Sequence, residues 1–438
     1  MQTAKQKLKR AAPWLFLLLV LAGLAAVRGL AANYEIGYEI MNGDFQNYNP
    51  VRHLLAGQVP YRDFTVYLGA GELYSVGGLL LVLGNSFGRS MFATNFCTWF
   101  YFELLVLAVC LVVIGTARAA RAAALALCSV FFAYVQGANL PFAGQVNTLL
   151  SYAAANGNSA RMMRSAALTL AVLVILLGLH FWQQDTSRRL LAPAVLVPFA
   201  AGFFVPWSND MGGAAYISIA LGYGLYLIRL YRSSIGKIVV QTLRYIVTSV
   251  VGLGVSVLLI SWGHPLAWLR QTRGTSAYQT WYYGNTLSDR VCSVADLHWP
   301  GAAVFCLAAA LAFAIGIFVC RSKRSAVLAA GGFALTLGMV LWNLLYGMVS
   351  ASNNGPTGGA AALAAVLAPA CIIKAVLLVC QKVSFPQVAA HIVPAGCAVL
   401  GAAVLAVGMA GQVQTRIGGH LCAGAGRLDR RPGRKAGN

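Results

Sequence analysis

The sequence predicts an all-α polytopic membrane bundle of roughly 12–13 transmembrane helices, with a long helical first external loop. Three observations carry this. The 438 residues are 59% apolar, with a mean hydropathy of +0.71, beyond what a soluble domain of this length sustains. Charged residues make up 10%, against about 25% in soluble domains. The 32 Lys and Arg fall mainly in short runs between apolar stretches, the pattern that orients helices and touches anionic headgroups. Placement, rather than the net charge of +21, therefore points to membrane lipids as partners and away from nucleic acid.

The elements follow from the amino terminus. The start, KQKLKR, is basic, and residues 13–32 (PWLFLLLVLAGLAAVRGLAA) supply a mostly apolar span. A signal peptide carries an apolar core of roughly 7–15 residues, so a retained helix is expected. The basic start then stays inside and the next loop lies outside. Further spans are expected at 68–84, 91–115, 121–136, 166–184, 191–207, 211–229, 239–260, 301–320, 326–349, 359–380 and 388–410. The runs TSRR, RLYRSSIGK and RSKR then fall on the cytoplasmic side. This parity requires another crossing at 138–156 (ANLPFAGQVNTLLSYAAAN). That segment is polar for a lipid-facing helix and is expected as a broken or re-entrant piece buried in protein. The same parity leaves Arg118, Arg121, Arg161 and Arg164 outside, against the positive-inside rule.

Residues 1–410 form one transmembrane domain on this pattern. The remainder, 411–438, has Gly, Arg and no apolar periodicity. It is expected as a disordered basic tail, in keeping with a truncated reading frame. Eight of the ten cysteines lie in or at the ends of apolar segments and no CxxC occurs, so they read as small packing hydrophobes.

Five of the eleven acidic residues, Glu35, Glu39, Asp44, Asp63 and Glu72, fall within 38 positions after the first span. Carboxylates at the mouth of a membrane protein cost desolvation energy unless they stay wet, bind cations or do chemistry. The loop reads NYEIGYEIMNGDFQNYNPVRHLLAGQVPYRDFTVYLGAGELY. Tyr48 to Ala56 is expected to form a short helix with Val51, Leu54 and Leu55 on one face and Arg52 on another. Gly57 ends it, and Pro60 with the aromatics at 61 and 64 turns the chain back. Asp44 and Asp63 then lie near one external cavity.

The second long outer loop, 262–300, is rich in Trp, Tyr and His. It fits either an interfacial aromatic belt or an amphipathic lid over a lipid-borne substrate. Asp210, in WSND at 207–210, either caps the helix from Met211 or reaches the cavity. Glu103, deep in the 91–115 span, is expected to pair with an Arg or to be hydrogen-bonded inside the bundle. Glu35 and Glu39, four apart, read as solvated surface or as a metal site.

The first loop resembles that of GT-C glycosyltransferases, closest to bacterial relatives of the protein O-mannosyltransferases and lipid A aminoarabinose transferases. Asp44, then Leu54-Leu55-Ala56-Gly57, then Pro60-Tyr61-Arg62-Asp63-Phe64 match that family's acid after the first helix and its LLAGxxPYxDF pattern. LGNSFGR at 83–89 is similar to its link between helices two and three. The likeness covers about 80 residues closely. It implies a GT-C-like fold in the cell (plasma) membrane, with an active site on the external, cell-envelope face. It implies an inverting hexosyl- or pentosyltransferase that uses a polyprenyl-phosphate-linked sugar and a lipid, glycan or protein acceptor.

On that resemblance Asp44 is the general base. Asp63 orients the acceptor, holds a cation or caps the turn. The candidate donor-phosphate cations are Arg52, Arg62, His53, His264, Arg270 and Arg273, since Arg offers a bidentate fork. Glu72 and Asp210 are accessory candidates. No compact His/Asp cluster sits at ligand spacing, so no metal ligands are assigned, although some members of the family use a divalent metal. The rival class is a polytopic transporter or lipid flippase without sugar-transfer chemistry.

Overall fold

In a computed structural model, residues 4–35, 41–136, 140–154, 161–182, 192–283, 300–350 and 357–382 are described. They form fourteen α-helices and no named strand. These are α1 (Ala4–Glu35), α2 (Met41–Leu55), α3 (Ala70–Leu83), α4 (Phe87–Ile114), α5 (Ala117–Val135), α6 (Ala143–Ala154) and α7 (Arg161–Trp182). After them come α8 (Val197–Phe203), α9 (Met211–Tyr231), α10 (Ile235–Ile260), α11 (Pro265–Tyr283), α12 (Pro300–Val319), α13 (Lys323–Ser350) and α14 (Thr357–Lys382). Among the described residues, nine are long and apolar enough to cross a membrane: α1, α4, α5, α7, α9, α10, α12, α13 and α14. The chain is therefore an all-α, multi-pass membrane bundle. The expected span at 388–410 and the tail from 411 lie outside the described residues.

Helix α4 is the central post. Every residue from Phe102 to Val112 is buried, because α1, α5, α7, α13 and α14 all pack on it. Its apolar stretch is 83% buried, against 17% for α12, so α4 packs protein all round while α12 offers most of its surface to lipid. No ion pair reaches Glu103 among the described residues. Of the two expected surroundings, an Arg or a hydrogen bond inside the bundle, the Arg is absent there, and the Trp99 indole one turn earlier and Cys128 of α5 lie beside it.

Two faces of the bundle can be told apart by contacts. Trp14 of α1, the α4–α5 junction at Gly115, His180 of α7, Tyr226 of α9 and Lys323 of α13 line one cavity and so share one face. This is the N-terminal face. On the opposite, loop face, Trp207 Nε1 donates to the Met163 carbonyl (2.9 Å) and the Tyr74 hydroxyl to the Ile260 carbonyl (2.6 Å).

This arrangement corrects the expected course of the chain in two places. Helix α3 replaces the 68–84 crossing. Its 14 residues span about 21 Å at ~1.5 Å per residue, short of a ~30 Å hydrocarbon layer. Helix α6 replaces the 138–156 crossing. It has 12 residues and exposes Gln145, Asn147 and Thr148, so it is not buried in protein. It joins the loop-face ends of α5 and α7. Dropping two crossings leaves later parity unchanged but moves the α4–α5 turn to the N-terminal face. There the Arg121 guanidinium lies 4.7 Å from the Trp14 ring centroid. Arg118 and Arg121 thus sit with the basic start of the chain, and their conflict with the positive-inside rule disappears.

The stretch expected as the 191–207 span is broken. It consists of a π turn (Ala192–Leu196), α8 and a 3-10 turn (Val205–Trp207). Pro198 and Pro206 lack the amide donors a continuous helix needs. Such a break is tolerated where neighbours cover it, here α7, α9 and α10. Helix α8 meets α10 backbone to backbone. A Cβ at Gly202 would collide with the Ser249 carbonyl, and one at Gly252 with the Phe199 carbonyl, the close approach that small residues permit.

The expected short helix of the first loop is present and begins earlier, at Met41. Its end at Gly57 is a Schellman motif: Gly57 N–H donates to the Leu54 carbonyl (3.0 Å) and Gln58 N–H to the His53 carbonyl (3.1 Å). Gly57 has φ of 79°, and a Cβ there would touch nothing within 4 Å. Gly57→Ala is therefore expected to destabilise through backbone strain alone, by about 1 kcal/mol. Faster proteolysis at the 56–59 turn is the expected sign, and cleavage at the wild-type rate would contradict it.

Candidate functional site

The first loop is braced from within and clasped from outside. Helix α2 lays Val51 into a small core with Tyr61, Val66, Leu68 and Leu73. Its early turns are pinned by Phe45 stacked on Phe87 (4.6 Å) and by the Tyr48 hydroxyl donating to Asn85 Oδ1 (2.9 Å). Asp44 falls in the first turn of α2, and its side chain lies outside those described. The side chain of Glu35 lies outside them too, as does the whole of Glu39.

After Gly57 the turn 59–63 is closed by Asp63. Its Oδ2 accepts the Val59 amide (2.7 Å), and its own amide donates to the Val59 carbonyl (2.9 Å). Arg62 forks onto the same carboxylate, Nε to Oδ1 at 2.8 Å and Nη2 to Oδ2 at 3.1 Å. Both Asp63 oxygens are thus engaged in bracing the turn, which favours the capping role among the three open for it. Arg62, with help from the Val59 amide, holds the Asp63 carboxyl down at about 2. A depressed carboxyl contributes above its unfolded value, about 3.9, and stops contributing as pH falls through its folded value. The Val59 amide is therefore expected to stay protected from hydrogen exchange at pH 4 and to open near pH 2. Asp63→Asn should open it already at pH 7, and unchanged protection in that variant would contradict the bracing role.

The second loop comes to meet the first. Arg62 Nη1 lies 3.2 Å from His264 Nε2, across 202 positions of sequence. Guanidinium can only donate, so the acceptor in this contact is His264 Nε2. Gln271 Nε2 donates to the Val66 carbonyl (3.0 Å), and Ala267 and Trp268 pack on the Val51 cluster. Asn209, in the turn before α9, donates to the Tyr67 carbonyl (2.7 Å). The second loop and the 207–210 turn therefore both meet residues 60–68 of the first.

The other candidate cations do not join the Arg62–His264 contact. Arg52 donates to Asn49 within α2 (3.1 Å), and His53 bonds Gln58 (2.7 Å) while stacking on Phe64. Arg270 and Arg273 are exposed, on the side of α11 away from Trp268 and Gln271 by helical spacing.

Beneath the junction lies a buried charge cluster that sequence reasoning saw only in part. Asp210 caps α9, as expected, by accepting the Met211 amide (2.9 Å) and the Ser208 hydroxyl (2.5 Å). It also pairs with Arg164 of α7, Nη1 to Oδ2 at 3.1 Å, with side chains 7% and 25% exposed for Arg164 and Asp210. Burial raises the Asp210 carboxyl, but Arg164 first, then Ser208, Trp342 and the Met211 amide, outweigh it and hold it below its usual value. Glu72, in the first turn of α3, is buried, and among the described residues its Oε1 finds no hydrogen-bond donor. Arg164 is a charge that acts on it. Asn343 of α13 is likewise buried, with neither side-chain atom hydrogen-bonded among the described residues.

No protein-family model, curated protein or solved structure matches this chain. What the site can do rests on its own geometry. Arg164 was legible in sequence only as a cation on the wrong side of the positive-inside rule, and Asn343 carried no signal at all. Among the described residues no three His, Cys, Asp or Glu side chains come together as metal ligands.

Proposed function

We propose that this chain is an integral-membrane glycosyltransferase of the GT-C type. It moves a sugar from a polyprenyl-phosphate donor to an acceptor hydroxyl of a lipid, glycan or protein. The observation that carries the reading is the clasp of the acid-bearing first loop against the second loop through Arg62 and His264. Loops that close on each other over a membrane-facing helix pair suit a substrate whose lipid stays in the bilayer while its head enters from the side.

The chemistry is a single displacement. The acceptor oxygen attacks the anomeric carbon, the bond to phosphate oxygen breaks, and polyprenyl phosphate leaves with the electron pair. Configuration inverts. Asp44 takes the acceptor proton, and its negative charge suits the positive charge that develops on the sugar ring. Arg62 spends three of its five N–H donors on Asp63 and His264, which leaves two for a donor phosphate. The loop face is external on this reading, because Arg10, Arg118, Arg121, Lys323 and Arg324 crowd the opposite face. On the same reading the activity lies on the outer side of the cell membrane.

A transporter is the second reading, favoured by one feature: the broken 192–207 segment ends beside the half-buried Asp210, as broken helices do at transport sites. Proteoliposomes supplied with a panel of polyprenyl-phosphate sugars and candidate acceptors separate the two. Release of polyprenyl phosphate with a glycosylated acceptor is the expected result. Donor crossing the bilayer intact, with no release, would instead establish transport.

A further inference from the structure

The N-terminal face holds a cavity of about 400 Å³ between the ends of α4, α7, α9 and α13, within the size range of small-molecule sites. His180, Lys323 and Arg324 line it, and among the described residues no carboxylate does. The Trp14 indole forms one wall. It meets the His180 ring edge-on at 5.8 Å, and Arg121 lies over it at 4.7 Å. Arg10, Arg121 and Arg324 all act electrostatically on His180. Arg324 donates one N–H to the Gly115 carbonyl (3.2 Å), capping α4 and fixing the guanidinium at the rim.

The interior is apolar, with Leu111, Leu176 and Leu177 among its walls. It shares Leu176, Leu179, Tyr226 and Val327 with an adjoining apolar pocket of about 50 Å³. Like charges gathered around one cavity favour an anion between them. A mouth of cations over an apolar interior matches one chemistry, a phosphate attached to hydrocarbon.

We infer that this cavity binds the phosphate of an anionic amphiphile, with the phosphate at Lys323 and Arg324 and the hydrocarbon along Leu176, Leu177 and the adjoining pocket. The site is on the opposite face from the proposed transfer chemistry and stands whether or not that reading does. An anionic phospholipid and free inorganic phosphate share the recognised group, and the test distinguishes them.

The purified full chain in phosphatidylcholine nanodiscs is titrated with short-chain phosphatidylglycerol and, separately, with inorganic phosphate, and binding is read by thermal shift and native mass spectrometry. Wild type should bind phosphatidylglycerol above the phosphatidylcholine background. Lys323→Gln/Arg324→Gln should weaken it about tenfold, by loss of charge-assisted donors. Arg232→Gln/Lys237→Gln, exposed on the same face away from the cavity, should leave it within about twofold, as expected for distant surface charges. Millimolar inorganic phosphate that displaces the lipid would assign the site to free phosphate as well; its failure to do so would assign it to the lipid. Leu177→Trp fills the cavity without removing charge and should also weaken binding, which keeps the test decisive if the double variant does not fold. No binding above background, equal weakening by the control pair, or an unaffected Leu177→Trp would each overturn the inference.

Discussion

Replacing Arg164 with Gln is expected to lower stability by about 3 kcal/mol, among the largest single effects available in the described residues. Arg164 is 7% exposed and pairs with Asp210, and it is a charge acting on the buried Glu72. Its removal leaves the Asp210 carboxylate without its cation, while burial already pushes the Glu72 carboxyl up to about 8 and keeps it protonated at pH 7. The figure sits at the low end of the range for breaking a buried pair because Asp210 keeps 25% of its side chain exposed. Arg164→Gln/Asp210→Asn should recover part of the loss, because the uncompensated charge is gone. The sign with pH follows from the lowered Asp210 carboxyl. The pair contributes fully above the unfolded value of about 3.9 and less as pH falls below it. The gap between wild type and Arg164→Gln should therefore narrow in acid. Thermal unfolding in a mild detergent measures this, and a variant that melts with wild type at pH 7 would contradict it.

How far the sequence reached depended on which physical signal each element carried. Long uniform apolar runs such as α4 and α10 were legible because nothing but a membrane or a protein core accepts them. Gly57 was legible as a helix end because the left-handed conformation it supplies is costly for other residues. Asp210 as a cap was legible from its place just before an apolar run. Length was harder to read: 68–84 contains enough apolar residues for a span, yet Gly69 and Gly84, both at positive φ, cut α3 to 14 residues. Residues 191–207 were read as one span but lose continuity at Pro198 and Pro206.

The candidate site was legible where partners are near in sequence and illegible where they are distant. The turn closed by Val59 and Asp63 could be anticipated. The Arg62–His264 contact and the Arg164–Asp210 pair could not, because each depends on how helices pack across tens or hundreds of positions. The donor cations show the same limit. Six Arg and His residues were equivalent by composition, and only packing brought Arg62 and His264 together while leaving Arg270 and Arg273 on the exposed side of α11.

The second large effect concerns Asp44. A positioned general base contributes about 10²–10⁴ in rate, and amide in place of carboxylate cannot take a proton. Asp44 lies in the first turn of α2, away from the Schellman end and the Asp63 turn that hold the loop. Asp44→Asn should therefore remove catalysis and leave the fold, as judged by an unchanged melting temperature. The decisive measurement is the initial rate of polyprenyl phosphate release coupled to acceptor glycosylation, wild type against Asp44→Asn, both at saturating donor. The account predicts a rate lower by about 10²–10⁴ in the variant, whereas sugar transfer by Asp44→Asn at the full wild-type rate would contradict it.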